Sequence, residues 1–141
     1  MSSRSSSPLQ WFILRGDDVL ISEKEPAEVP TLRADEEAPV ALTCRHFLNS
    51  TREPGIIAAG AEKEAEAPEG YQWIRLRSLF TGGADELFWP AGEAFQVVNW
   101  DRTTRFCGVC GSPTQQKENE RVAVCPACGF EQYPRISPAM I

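Results

Sequence analysis

The sequence is short of histidine and of positive charge. His46 is the one histidine in 141 residues, and 14 lysines and arginines stand against 20 aspartates and glutamates, a net charge of −6. With no second histidine and no clear carboxylate partner near it, His46 has no support as a catalytic base or metal ligand, and a partly buried, hydrogen-bonded side chain is expected. The scarcity of cations weighs against a chain built mainly to grip nucleic-acid phosphates, because such binding draws most of its affinity from lysine and arginine. Long apolar runs are missing too. None approaches the roughly 18–20 residues of a membrane span. The opening Met1-Ser-Ser-Arg-Ser-Ser-Ser-Pro8 lacks the apolar core of a secretory signal, so residues 1–8 are expected to form a disordered lead. Of only five cysteines, four fall in two tight pairs and Cys44 stands alone, which leaves no disulfide framework. That usage fits a reduced, cytoplasmic setting, with Cys44 as a small buried hydrophobe.

What is present centres on Cys107 to Cys128. The stretch reads Cys107-Gly-Val-Cys110-Gly111, then thirteen residues to Val124, then Cys125-Pro-Ala-Cys128-Gly129. Two Cys-x-x-Cys pairs a hairpin apart have the spacing of a four-thiolate zinc site. Each is followed by a glycine, which supplies cheaply the positive φ that the end of a metal knuckle needs. A redox role for Cys-x-x-Cys calls for one pair rather than two matched ones, whereas iron suits four thiolates as well as zinc does. Charge separates the chain at the same place. From Cys107 onward, Lys117, Arg121 and Arg135 balance Glu118, Glu120 and Glu131, leaving 11 of the 14 basic and 17 of the 20 acidic residues before the ribbon. Such a short stretch cannot build an ordinary core, so bound metal must supply its folding energy, on the order of 10–16 kcal/mol.

Before the ribbon, the composition of 42% hydrophobic and 9% aromatic residues suits a globular domain. Trp11-Phe-Ile-Leu14 and Val19-Leu-Ile21 flank Arg15-Gly16-Asp17-Asp18, which predicts an opening hairpin. The Arg-Gly-Asp triplet is read as turn chemistry rather than as an adhesion motif. The segment from Ser22 to Pro39, punctuated by Pro26, Pro30 and Pro39, predicts an irregular surface connection. Val40, Leu42, Cys44, His46 and Leu48 alternate with Ala41, Thr43, Arg45 and Phe47, a strand with one apolar face. A short strand is expected over Gly55 to Gly60. The acidic run from Ala61 to Gly70 is expected to be a solvated loop rather than a cation site. Tyr71 to Phe80 reads as one further strand. Thr81-Gly-Gly83 then opens a short helix that ends before Pro90, and a second helix starts at Pro90. Ala91, Ala94, Phe95 and Val98 recur on its apolar face as it runs to Arg105 and delivers Phe106 into the first knuckle. In the ribbon, Arg121 to Val124 and Phe130 to Tyr133 read as extended. The chain closes on Tyr133-Pro-Arg-Ile-Ser-Pro-Ala-Met-Ile141, which rises in hydrophobicity like the first residues of a further strand.

An α+β segment ending in a helix, then Phe106-Cys-Gly-Val-Cys-Gly111, the second Cys-x-x-Cys, and Tyr133-Pro-Arg-Ile-Ser-Pro-Ala-Met-Ile141, resembles the N-terminal half of an NADH pyrophosphatase of the Nudix hydrolase superfamily. The resemblance is specific from Phe106 onward and looser before it. It implies an α+β fold: a degenerate Nudix-like domain of antiparallel strands and a C-terminal helix over residues 9–105, a zinc ribbon over 106–132, and the start of a truncated catalytic Nudix domain at 133–141. It implies structural zinc on Cys107, Cys110, Cys125 and Cys128, with magnesium or manganese confined to the missing catalytic domain. NAD(H) or a related dinucleotide is the implied substrate of the whole protein, split into NMNH and AMP. Tyr133 becomes a candidate for stacking a nucleotide base, against a plain packing role, and a homodimer becomes a candidate assembly. The sequence departs from the family at its catalytic motif. That motif sets paired glutamates on a helix to hold the activating cations, whereas here Arg52-Glu53 runs into Pro54-Gly55 and Glu36-Glu37 sits in a proline-rich stretch. The chain by itself is therefore expected to be catalytically silent. The competing class is a zinc-ribbon module that binds nucleic acid or protein, which the balanced charge of the ribbon and the acidic body disfavour.

Overall fold

The computed structural model describes residues 8–33, 35–48, 55–81, 85–117 and 121–134, with side chains left out at 80, 81 and 85. The polar lead before Pro8, Arg52-Glu53, Gly82-Gly83 and the segment from Arg135 to Ile141 lie outside the described residues. The chain divides into two compact units, Met1–Phe95 and Gln96–Ile141.

In the first unit, the predicted hairpin is β1 (Leu9–Arg15) and β2 (Asp18–Ser22). Leu14 pairs with Val19 and Arg15 with Asp18, which leaves Gly16-Asp17 as a two-residue loop. Gly16 takes φ +62° while Asp17 stays negative, the combination that a type II′ hairpin turn demands of its first loop residue. The proline-rich connection holds a two-residue strand, β3 (Thr31–Leu32), which pairs antiparallel with the start of β1. Beyond it come β4 (Leu42–Leu48), β5 (Ile56–Ala61) and β6 (Tyr71–Arg75). The sheet order is β4-β5-β1-β2-β6, with β3 on β1. All pairings are antiparallel except β1 with β5, which run parallel from Gln10–Ile56 to Leu14–Gly60. The result is a mixed, mostly antiparallel sheet.

Trp11, Phe12, Ile13 and Leu14 are all fully buried, so β1 is covered on both faces. A strand in that position reads as a continuous apolar run rather than an alternation. One face gathers Trp11, Ile13, Leu20, Ile57 and Ala59, with Ala38, Val40 and Ala67 from the loops packed against it. The proline-rich connection thus contributes to the core instead of merely skirting it. The acidic loop behaves as expected, with Glu62, Glu64, Glu66 and Glu69 all exposed. Its Ala65 carbonyl accepts hydrogen bonds from Arg15 Nη1 at 2.7 Å and Trp73 Nε1 at 3.2 Å, which pins the loop to the sheet.

Three expectations need correction. Burial along β4 alternates as predicted, but a bulge sets Leu42 opposite Ala61 and Cys44 opposite Gly60. One step on β5 is matched by two on β4, so Leu42 faces the Trp11 cluster while Cys44, His46 and Leu48 turn to the other face. Cys44 and His46 are half-buried there. Second, the strand beginning at Tyr71 stops at Arg75 and turns into α1 (Leu76–Thr81). Its partner β2 begins at Asp18, which pairs with Arg75, so no strand remains for Leu76 to bond. The Leu76 N–H instead donates to the Asp17 carbonyl at 2.9 Å, and Leu79 is buried one helical turn later. Third, Pro90 lies inside a single helix, α2 (Asp85–Thr103), rather than starting a new one. The proline removes one hydrogen bond, to the carbonyl of Glu86. Glu86 is exposed, so water can satisfy that carbonyl. The buried positions of α2 are Pro90, Ala91, Ala94, Val97 and Trp100, so Val97 and not Val98 continues the apolar stripe.

The second unit carries β7 (Gln115–Gln116), β8 (Ala123–Val124) and β9 (Glu131–Gln132), an antiparallel sheet ordered β7-β8-β9. The end of α2 is fastened to it within this unit. Thr114 Oγ1 donates to the Thr104 carbonyl at 2.6 Å, Gln116 Nε2 to Asp101 at 3.0 Å, and Trp100 Nε1 to the Gln132 carbonyl at 3.2 Å.

Candidate metal centre

The two knuckles have matching main-chain hydrogen bonds. The N–H of Gly111 donates to the Cys107 carbonyl at 3.0 Å, and that of Gly129 to the Cys125 carbonyl at 2.8 Å. Cys107 N–H donates to the Ser112 carbonyl at 2.8 Å and Cys125 N–H to the Phe130 carbonyl at 2.9 Å, so each loop closes at the same offset. Gly111 and Gly129 have φ +83° and +84°, a conformation costly to any residue with a Cβ. Each loop wraps its own first sulfur. Cys107 Sγ accepts from the N–H groups of Val109 at 3.2 Å and Cys110 at 3.5 Å, and Cys125 Sγ from that of Cys128 at 3.4 Å.

The four sulfurs converge, all within 4.8 Å of one another. Cys107 Sγ lies 3.7 Å from Cys128 Sγ, and Cys110 Sγ 3.5 Å from Cys125 Sγ. A zinc–sulfur bond of about 2.3 Å in a regular tetrahedron gives sulfur–sulfur edges of about 3.8 Å. The donor set and its spacing therefore fit zinc, and four ligands leave no position for water or substrate. Cys107 and Cys125 are buried, whereas Cys110 and Cys128 are exposed.

Electrostatics agree with that fit. The Ser112 hydroxyl and N–H pull the Cys110 thiol down to about 6. The Cys110 N–H, aided by that of Val109, holds Cys107 below the ordinary thiol value against the effect of burial. At Cys128 the Phe130 N–H pulls downward, but loss of water and the three neighbouring sulfurs outweigh it and push the thiol up to about 12. Four sulfurs this close cannot all ionise on their own charge. A divalent cation among them removes that penalty.

Tyr133 is exposed, with its hydroxyl donating to Glu131 Oε1 at 3.3 Å. No sequence signal marks Ser112, whose hydroxyl and N–H act on Cys110, or Gln132, whose Oε1 accepts from the Gly108 N–H at 3.2 Å. Both are polar residues without a motif, and only the folded knuckles bring them to the site. Among residues expected to lack a chemical role, Glu36 lies in the loop between β3 and β4, 3.5 Å from Arg33 Nε. Among the described residues no helix is long and apolar enough to cross a membrane.

Comparison with known proteins agrees with both units. Residues 8–100 match the NADH pyrophosphatase-like rudimentary NUDIX domain, and residues 102–133 match the NADH pyrophosphatase zinc ribbon domain. Similar curated proteins bear the name NAD-capped RNA hydrolase NudC. The one from Deinococcus radiodurans is 46% identical over 76 residues, covering 54% of this chain and 27% of its own length. One from Pseudomonas aeruginosa is 46% identical over 100 residues, covering 71% and 36%. One from Pseudomonas fluorescens is 32% identical over 136 residues, covering 95% and 48%. The chain thus spans half or less of the length of these relatives. It belongs to the family of NADH pyrophosphatase-like rudimentary NUDIX domains, here followed by that family's zinc ribbon.

Proposed function

We propose that this chain is the non-catalytic portion of a hydrolase that cuts the diphosphate of NAD-type dinucleotides. The observation that carries this reading is the succession of a rudimentary Nudix domain and a closed four-thiolate ribbon, matched one after the other over residues 8–100 and 102–133. In this account Cys107, Cys110, Cys125 and Cys128 hold one structural zinc. The cations that activate water, magnesium or manganese, belong to the catalytic Nudix domain that these modules accompany. The substrate is NADH, split into NMNH and AMP, or the same diphosphate in an NAD cap on RNA, for which the relatives are named. Tyr133 is a candidate for stacking a base of that substrate. A reducing, cytoplasmic setting suits the free thiols. Exposed Phe106, Val109 and Phe130 on the ribbon support self-association into a homodimer, which light scattering checks.

The test is incubation of the purified chain with NADH and magnesium or manganese, followed by chromatography of the nucleotides. The account expects NADH to stay intact, and release of NMNH and AMP by this chain alone overturns it. The relatives' association with RNA favours a second reading, in which the ribbon itself touches nucleic acid. Electrophoretic shift at low salt decides that: a salt-sensitive complex with RNA supports it, and free RNA excludes it.

A further inference from the structure

The burial and pairing of the four sulfurs point to a modification site. Each knuckle has one buried cysteine, its first, and one exposed cysteine, its second. Two close contacts run across the ribbon: Cys110 Sγ meets Cys125 Sγ at 3.5 Å, and Cys128 Sγ meets Cys107 Sγ at 3.7 Å. We propose that the ribbon is a peroxide-sensitive site whose oxidation proceeds through two disulfides between the knuckles, Cys110–Cys125 and Cys107–Cys128, with loss of the bound metal. This rests on the metal-site reading above.

The chemistry follows from which sulfur a hydroperoxide can reach. The thiolate of Cys110, the exposed residue of its knuckle, attacks one peroxide oxygen, the O–O bond breaks, and hydroxide leaves, giving a sulfenic acid. The buried thiolate of Cys125 attacks that sulfur, forms the S–S bond and expels a second hydroxide. Two electrons pass from the two sulfurs to one peroxide. Cys128 and Cys107 repeat the sequence with a second peroxide, so four thiolate ligands become two disulfides and the metal has no donors left. Bonds inside a knuckle compete, since Cys-x-x-Cys pairs often oxidise together. Here the main chain of each loop already wraps its first sulfur, through the Cys110 and Cys128 N–H groups. The cross bonds leave both wraps in place and hold together the two knuckles that the metal had joined. A thiol reductant restores the original four donors.

The sequence provides a clean readout. Trypsin cuts after Arg105, Lys117, Arg121 and Arg135, placing Cys107 and Cys110 in peptide 106–117 and Cys125 and Cys128 in peptide 122–135. Zinc is first counted by elemental analysis. The chain is then treated with hydrogen peroxide, zinc release is followed with a colorimetric chelator, free thiols are alkylated, and the digest is analysed by mass spectrometry. Limiting peroxide lets fragmentation place a single bond. The expected result is zinc release in step with a linked 106–117/122–135 species carrying Cys110–Cys125 or Cys107–Cys128. Separate peptides with internal disulfides overturn the proposal, as do thiols that remain unoxidised, or zinc release with only sulfinic or sulfonic products. A zinc count well below one per chain before oxidation instead defeats the metal-site reading, and this proposal with it.

Discussion

Trp100 Nε1 donates to the main-chain carbonyl of Gln132 at 3.2 Å, across 32 residues of sequence. Gln132 meanwhile accepts from Gly108 through its side chain at 3.2 Å. One residue of β9 thereby receives both the end of α2 and the first knuckle. Trp100→Phe keeps one aromatic ring but deletes the donor and the rest of the indole, leaving a carbonyl unpaired. A loss of about 1–3 kcal/mol is expected, read by urea denaturation. Trp100→Ala removes a nearly buried ring as well and is expected to cost about 3–5 kcal/mol. Equal effects of the two substitutions would contradict a hydrogen-bonded, packed indole.

The knuckle glycines give a prediction free of steric complication. An added Cβ at Gly111 or Gly129 meets nothing within 4 Å, yet both residues sit at φ above +80°. Gly111→Ala and Gly129→Ala should therefore each cost about 1–2 kcal/mol through backbone conformation alone. That cost should appear as faster zinc loss to a competing chelator. An unchanged release rate in both variants would mean that the loops do not need the left-handed conformation.

In the first unit, Ile13 lies in the Trp11 cluster on the central strand and is fully buried. Ile13→Ala is expected to destabilise the chain by about 2–5 kcal/mol. Arg45 is exposed and its guanidinium lies 5.2 Å from the Trp11 ring. Arg45→Ala should cost only about 0.5–1 kcal/mol. Thermal or denaturant melts of the two variants check the ordering, and a larger loss at Arg45 would reverse the assignment of the core.

These contrasts bear on how far the chain could be read from residues alone. The Gly16 turn was legible because only a few residue types accept its backbone. The cysteine spacing was legible because a metal fixes four donors at once. The bulge after Leu42 was not, since burial alternates through it unchanged and only the pairing with β5 reveals the change of face. The end of β6 at Arg75 depends on where β2 starts, more than fifty residues earlier in the chain. At Pro90 the local preference for a helix start gave way to a longer helix that forgoes the one hydrogen bond the proline cannot donate to the Glu86 carbonyl. The parallel partner of β1 and the short β7 likewise depend on tertiary pairing, which leaves little trace in local composition. At the ribbon the ligands were visible, while Ser112 and Gln132 gained their roles only once the knuckles closed.

The central claim is that Cys107, Cys110, Cys125 and Cys128 close around a single zinc that holds the second unit together. The most direct measurement is zinc per chain by elemental analysis, before and after a strong chelator, with amide NMR spectra of both samples. The account predicts one zinc per chain, a colourless protein, and collapse of the dispersed signals of residues 106–134 once the metal is removed. A metal-free protein with the same dispersed ribbon signals, or a coloured one carrying iron, would contradict it.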